Sequence, residues 1–142
     1  MTINSGLFSS NTDNWATPID FFNKIDSEFN FTLDVCADSS NAKCKHYFDK
    51  TTNGLLMKWY GNCWMNPPYG RIIYDWIKYA DQQVNEKNCN LVVALLPART
   101  DTKWFHEIIY NIHEIRFIKG RLKFGNSKSP APFPSMLVIF KK

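Results

Sequence analysis

Two consecutive prolines constrain this chain more than any other feature. Pro67 and Pro68 follow directly on the short run Asn62-Cys63-Trp64-Met65-Asn66, whose apolar part reads as a strand. Neither proline can donate a ladder N–H, and each holds φ at about −65°, so the strand must stop there. In an open α/β sheet such an exit lies at the C-terminal strand edge, where ligands bind. Asn66 and Tyr69 flank the two prolines. An amide, a stiff backbone with carbonyls freed from the ladder, and an aromatic ring therefore arrive together. This equipment suits a flat ring that carries an amine.

A chain of 142 residues, 44% hydrophobic and 21% charged, fits one globular domain with a single core and excludes wholesale disorder. Residues 1–13, rich in Ser, Asn and Thr, read as a flexible N-terminal tail without a secretory signal, and residues 14–142 as one domain. The longest apolar run, residues 91–96, is too short for a bilayer, so no membrane partner is expected. Cys36, Cys44, Cys63 and Cys89 contain no Cys-x-x-Cys pair, which predicts reduced thiols in a cytoplasmic protein and no metal site. The net charge of +4 is compatible with a polyanionic partner but does not require one.

Thr17 is a candidate N-cap and Pro18 a candidate first helical residue, with Phe21, Phe22, Ile25 and Phe29 on one helical face. Thr17-Pro18 reads equally as a plain helix start and as a ligand contact. Residues 31–36 read as a buried strand interrupted by Asp34, and the small residues after Cys36 and Ala37 allow a ligand close to the backbone. Tyr47-Phe48 suggests a short second strand. Residues 71–87 carry Ile73, Trp76, Ile77, Ala80 and Val84 at helical spacing.

Residues 91–96 read as a central parallel strand that also ends in proline, placing Arg99, Thr100 and Asp101 on the same edge as Asn66. A helix is predicted through Trp104, Phe105, Ile108, Ile109 and Ile112. Two further strands, residues 114–118 and 136–140, are predicted to pair antiparallel, with an irregular stretch at residues 127–134 between them.

An exocyclic amine conjugated to a heterocycle is a poor nucleophile. Hydrogen bonds accepted from its N–H groups localise the lone pair. The Asn66 side-chain oxygen and the Pro67 carbonyl can supply them, and Tyr69 can stack on the ring. The remaining requirement is a methyl donor held in line.

Asn66-Pro67-Pro68-Tyr69 resembles the catalytic motif of amino-methylating, S-adenosylmethionine-dependent methyltransferases. The ordered set with Trp15-Ala16-Thr17-Pro18, residues 31–35, Asn53-Gly54-Leu55, residues 96–102 and residues 120–124 resembles, more closely, the small phage and prophage Dam-like DNA N6-adenine methyltransferases. The resemblance implies a Rossmann-like class I fold. Its sheet would be mostly parallel with an antiparallel C-terminal strand pair, covered by helices on both faces, and compact, without a separate target-recognition domain. It implies transfer from S-adenosylmethionine, leaving S-adenosylhomocysteine, to a flipped adenine of double-stranded DNA.

By the same resemblance, Asn66, Pro67, Pro68 and Tyr69 are catalytic. Trp15, Thr17 and Pro18 meet the donor's methionine end, together with Asp34, Cys36, Ala37, Asn53 and Asn66 in donor binding. Arg71, Arg99, Thr100, Asp101, Arg121 and Lys123 are the candidate DNA contacts. No glycine-rich loop follows Asp34, and only Asp49 stands in for an acidic ribose ligand. Little chain remains for recognition, so specificity is expected to be short or relaxed, or a homodimer to supply the surface. N4-cytosine and RNA adenine remain alternative acceptors, and a degenerate nucleic-acid-binding module the competing class.

Overall fold

The computed structural model describes residues 16–125 and 129–142. Trp15 and the expected tail at residues 1–13 lie outside the described residues, as does part of the irregular stretch after Gly125. Among the described residues, five strands form one sheet: β1 (Leu33–Asp34), β2 (Asn62–Met65), β3 (Leu91–Pro97), β4 (Glu114–Phe117) and β5 (Ser135–Lys141). Their order is β1-β2-β3-β5-β4. The first three run parallel, β2 and β3 being joined through the helix Ile73–Asn85, and β5 pairs antiparallel with both β3 and β4.

β3 is buried along nearly its whole length because it has a strand on each side, β2 in parallel and β5 over seven antiparallel pairs. The expected pairing of the last two strands is present, from Glu114↔Ile139 to Phe117↔Met136. The chain adds one thing to it. β5 inserts between β3 and β4, so it is an interior strand and β4 forms the edge.

Helix α1 (Ile19–Phe29) corrects the predicted cap. Pro18, not Thr17, occupies the N-cap position, with φ −59° and ψ 135° and no side-chain cap bond, and Asn30 closes the helix in the left-handed region at φ 54°. Helix α2 (Ile73–Asn85) starts two residues later than the sequence pattern but buries the expected Ile73, Trp76, Ile77, Ala80 and Val84.

Residues 31–36 shorten to the two-residue β1. Val35 still donates to the Trp64 carbonyl at 3.1 Å, but the Cys36 N–H turns back onto Asp34 Oδ1 at 3.2 Å. The strand expected at Tyr47-Phe48 is a single parallel bridge, Asp34↔Tyr47. The third helix is a π turn, Phe105–Ile109, closed by Tyr110 N–H to the Phe105 carbonyl at 2.8 Å. That wider turn leaves Ile112 beyond it and 58% exposed, where a 3.6-residue period placed it inward.

Register assigns the faces. Trp64, Val93, Ile139 and Glu114 are laterally aligned, so their side chains share one face, as does Arg116 two residues on. On that face Phe22 of α1 meets Trp64 edge-on at 5.2 Å, and Arg116 grips Glu28 of α1 with two bonds of 2.7 and 2.8 Å. Phe140 points the other way and carries His113, which bonds Asp81 of α2 at 2.6 Å. Helices thus flank the sheet on both faces.

The same register fixes the working edge. β1, β2 and β3 end together, and β4, antiparallel to β5, ends there too, so the connection at residues 118–134 opens on that edge. Residues following Asp34, Met65, Pro97 and Phe117 therefore share one address.

Candidate active site

Asn66 leaves β2 at the centre of this edge. Its Nδ2 donates to Thr17 Oγ1 at 3.0 Å, joining the strand exit to the segment before α1. Pro67 is buried, and Pro68 faces a cavity of about 520 Å³ that Asn66 and Thr17 also line. A volume of that order is typical of a small-molecule site.

Asp34, Cys36 and Ala37 form a second part of the lining, delivered by the early end of β1. Asp34 is only 2% exposed, and its carboxylate is satisfied by the backbone N–H groups of Cys36 and of Lys43, the latter at 3.0 Å to Oδ2. Burial nevertheless pushes its pKa up to about 6, against the lowering effect of those N–H groups and of the Lys43 charge. Burial, then the neighbouring Asp34 charge, pushes Cys36 up to about 12, so its thiol stays protonated at neutral pH. Cys36 is packing and lining here, not a nucleophile.

The turn at residues 49–55 makes the facing wall. Asn53, at φ 58°, caps the following 3-10 turn by accepting the Leu55 N–H at 3.1 Å, which brings Gly54 to the cavity. Asp49 reaches the same cavity, and its carboxylate is held low by Thr52, which donates through both its backbone N–H and its hydroxyl. Lys43, Lys50, Phe48 and Trp76 also line it. In the sequence Phe48 reads as part of a short strand and Trp76 as part of an apolar helical face, and neither lysine carries a ligand signal. The Asp34↔Tyr47 bridge was the missing link, because it carries residues 43–50 around to the first strand.

Tyr69 is nearly buried. Its hydroxyl donates to the Leu95 carbonyl at 3.2 Å, and its ring meets Phe133 edge-on at 5.6 Å. Burial raises its phenol well above the ordinary range. Arg71, Arg99, Thr100, Asp101 and Lys123 are exposed at the same edge, outside the cavity lining. Arg121 is exposed too, but ties its own loop through Nη1 to the Ala131 carbonyl at 3.3 Å. Pro18 is half-buried beside Thr17 and does not line the cavity. Among the described residues no cluster of three His, Cys, Asp or Glu side chains is gathered for a metal, and no helix is long and apolar enough to cross a membrane.

A mixed α/β sheet with an Asn-Pro-Pro-Tyr corner beside a cavity of mixed charge defines an α/β protein with a candidate ligand site at the ends of its parallel strands. Comparison with known proteins makes that class specific. The model of the family described as DNA N-6-adenine-methyltransferase (Dam) matches residues 4–142, and the chain belongs to this family. A DNA N-6-adenine-methyltransferase of Haemophilus phage HP1 is 35% identical over 150 aligned residues, covering 99% of this chain and 86% of that protein. A protein of the same description from Escherichia phage T1 is 32% identical, over 78% of this chain and 46% of its own length. The putative methyltransferase YfdM of Escherichia coli K12 is 37% identical over 40% of this chain and 71% of its own.

Proposed function

We propose that this member of the DNA adenine-N6 methyltransferase family takes its methyl group from S-adenosylmethionine and delivers it to the N6 amine of an adenine turned out of double-stranded DNA. The observation that carries the reading is the position of Asn66. It directly follows β2 at the C-terminal strand edge and at the same time lines the 520 Å³ cavity. A donor in that cavity and an amine held by Asn66 are therefore neighbours by construction. The sheet is then a trimmed, Rossmann-like class I methyltransferase sheet.

The lining suits the donor's chemistry. S-adenosylmethionine carries an amino-acid end of both charges, ribose hydroxyls and a purine, and supplies an electrophilic methyl. Asp34, Asp49, Lys43 and Lys50 offer charges of both signs, and Phe48 and Leu55 offer apolar surface. We assign the methionine end to Thr17, which lines the cavity. The region of Asp34, Cys36 and Ala37 takes the middle of the donor, and Asn53 with Asp49 takes the nucleoside.

On the acceptor side, the Asn66 oxygen and the Pro67 carbonyl accept the two N–H groups of the amine. That localises the nitrogen lone pair toward the methyl group. The proton leaves after the new C–N bond has formed, so no base of shifted pKa is required. Tyr69 is the stacking ring for the flipped base, with its plane fixed by the Leu95 carbonyl. Stacking there requires the buried Tyr69 ring to become accessible to the base. Arg71, Arg99, Thr100, Asp101, Arg121 and Lys123 form the DNA-facing rim. The small rim fits short or relaxed specificity, or a homodimer that doubles it.

The test is incubation of the enzyme with methyl-labelled donor and, separately, double-stranded DNA and RNA, followed by digestion to nucleosides. Label in N6-methyladenine from DNA is expected. Label in N4-methylcytosine or in RNA alone refutes the acceptor assignment, and no label despite measurable DNA binding indicates a binding module.

A further inference from the structure

An amide is catalytically useful at only one of its two ends. Its oxygen can accept an N–H from the substrate amine, whereas its NH₂ would face that amine donor to donor. The torsion that exchanges the two ends is an sp³–sp² rotation with a broad profile, so the rigid prolines after Asn66 do not set it. Something else must hold the nitrogen end.

Thr17 is placed to do this. Its Oγ1 lies 3.0 Å from Asn66 Nδ2, and the residue is 5% exposed. The hydroxyl is not spent on the helix, since Pro18 stands at the N-cap and no side chain caps α1. The Thr17 backbone is pinned on both sides. Gly125 donates to the Ala16 carbonyl at 2.8 Å, and Phe22 donates to the Pro18 carbonyl at 3.0 Å. Thr17 precedes a proline, which restricts it to extended backbone, and its branched Cβ restricts its χ1. A hydroxyl so held is a fixed acceptor.

We propose that Thr17 is a positioning residue that consigns the Asn66 amide nitrogen to itself and so turns the amide oxygen toward the substrate amine. The inference rests on Asn66 acting as proposed above. It gives Thr17 a task in the chemical step beyond lining the donor cavity.

The test compares wild type with Thr17→Val, Thr17→Ser and Asn66→Ala, measuring kcat at saturating donor and DNA and donor Kd by titration. Valine keeps the shape and removes the acceptor; serine keeps the acceptor. The expected result is a kcat at saturating donor roughly 10- to 100-fold lower for Thr17→Val, over and above any loss of donor affinity, and Thr17→Ser within about threefold of wild type. A Thr17→Val kcat near wild type, an effect confined to donor Kd, or a serine variant as slow as valine overturns the proposal. Wild-type turnover in Asn66→Ala instead refutes the catalytic reading of Asn66 itself. Should valine prevent folding, NMR of the wild-type Asn66 side-chain amide decides: protection of its Nδ2 protons from exchange supports the proposal, and exchange at the rate of an exposed amide overturns it.

Discussion

Asp34 and Lys43 are joined through the backbone: the Lys43 N–H donates to Asp34 Oδ2 at 3.0 Å, folding residues 35–43 back over the end of the first strand. A buried carboxylate thus does the work that a glycine-rich turn does elsewhere. It shapes the loop by accepting main-chain N–H groups at both of its oxygens.

That arrangement has a pH signature. Burial lifts Asp34 from its ordinary 3.8 to about 6, so the folded protein holds this proton more tightly than the unfolded chain. The associated stability is fully present below about pH 3.8 and is lost as pH rises through 6, with an upper magnitude of about 3 kcal/mol. Asp34→Asn removes the titration. Urea unfolding without donor is expected to show the variant gaining on wild type by about 1–3 kcal/mol between pH 4 and 7.5. Parallel profiles would contradict the assignment.

Gly54 joins the cavity wall to the first strand, and there is no room for a side chain. A Cβ there would sit 2.3 Å from the Val35 carbonyl oxygen and 3.1 Å from the Trp76 ring. Gly54→Ala is expected to cost about 1–3 kcal/mol of stability and to weaken donor binding, because the backbone that must shift lines the cavity. Thermal unfolding and calorimetric titration read the two effects separately.

Gln83 is the buried polar residue that the helical period does not anticipate. Its Oε1 accepts the Trp59 N–H at 2.9 Å and an Asn88 Nδ2 proton at 3.2 Å. Gln83→Met strands the Trp59 N–H and is expected to lower stability by about 1–3 kcal/mol, measured by denaturant unfolding. Gln83 does not line the cavity, so kcat below the unfolding range is expected to stay unchanged.

Arg99 and Lys123 are exposed at the working edge. Each replaced by alanine is expected to weaken DNA binding and to reduce the slope of log K against log salt by about 1, with donor affinity unchanged. A binding loss that does not depend on salt would point to a structural role instead.

The strand exit at Pro67-Pro68, the edge it shares with the end of β3 and the antiparallel last pair were legible because proline chemistry and apolar runs are local signals. The bland core of α2 was legible for the same reason. Three things were not. The cap at α1 is Pro18, whose ψ of 135° keeps it out of the helix, and the Thr17 hydroxyl bonds instead to Asn66, a partner 49 residues away. The third helix became a π turn, whose extra residue moves Ile112 off the periodic face. The cavity wall at residues 43–50 is tied back to the first strand by the Asp34↔Tyr47 bridge, the Ala37 N–H to Phe48 carbonyl bond and the Lys43 N–H to Asp34 bond, and no local pattern announces contacts so short and scattered.

The most direct test of the central claim is the single-turnover rate of Asn66→Ala on adenine-containing DNA, with donor binding measured on the same preparation. The account predicts that donor affinity and the folded state persist while formation of N6-methyladenine falls by at least about 100-fold. Near-normal turnover in that variant would contradict it.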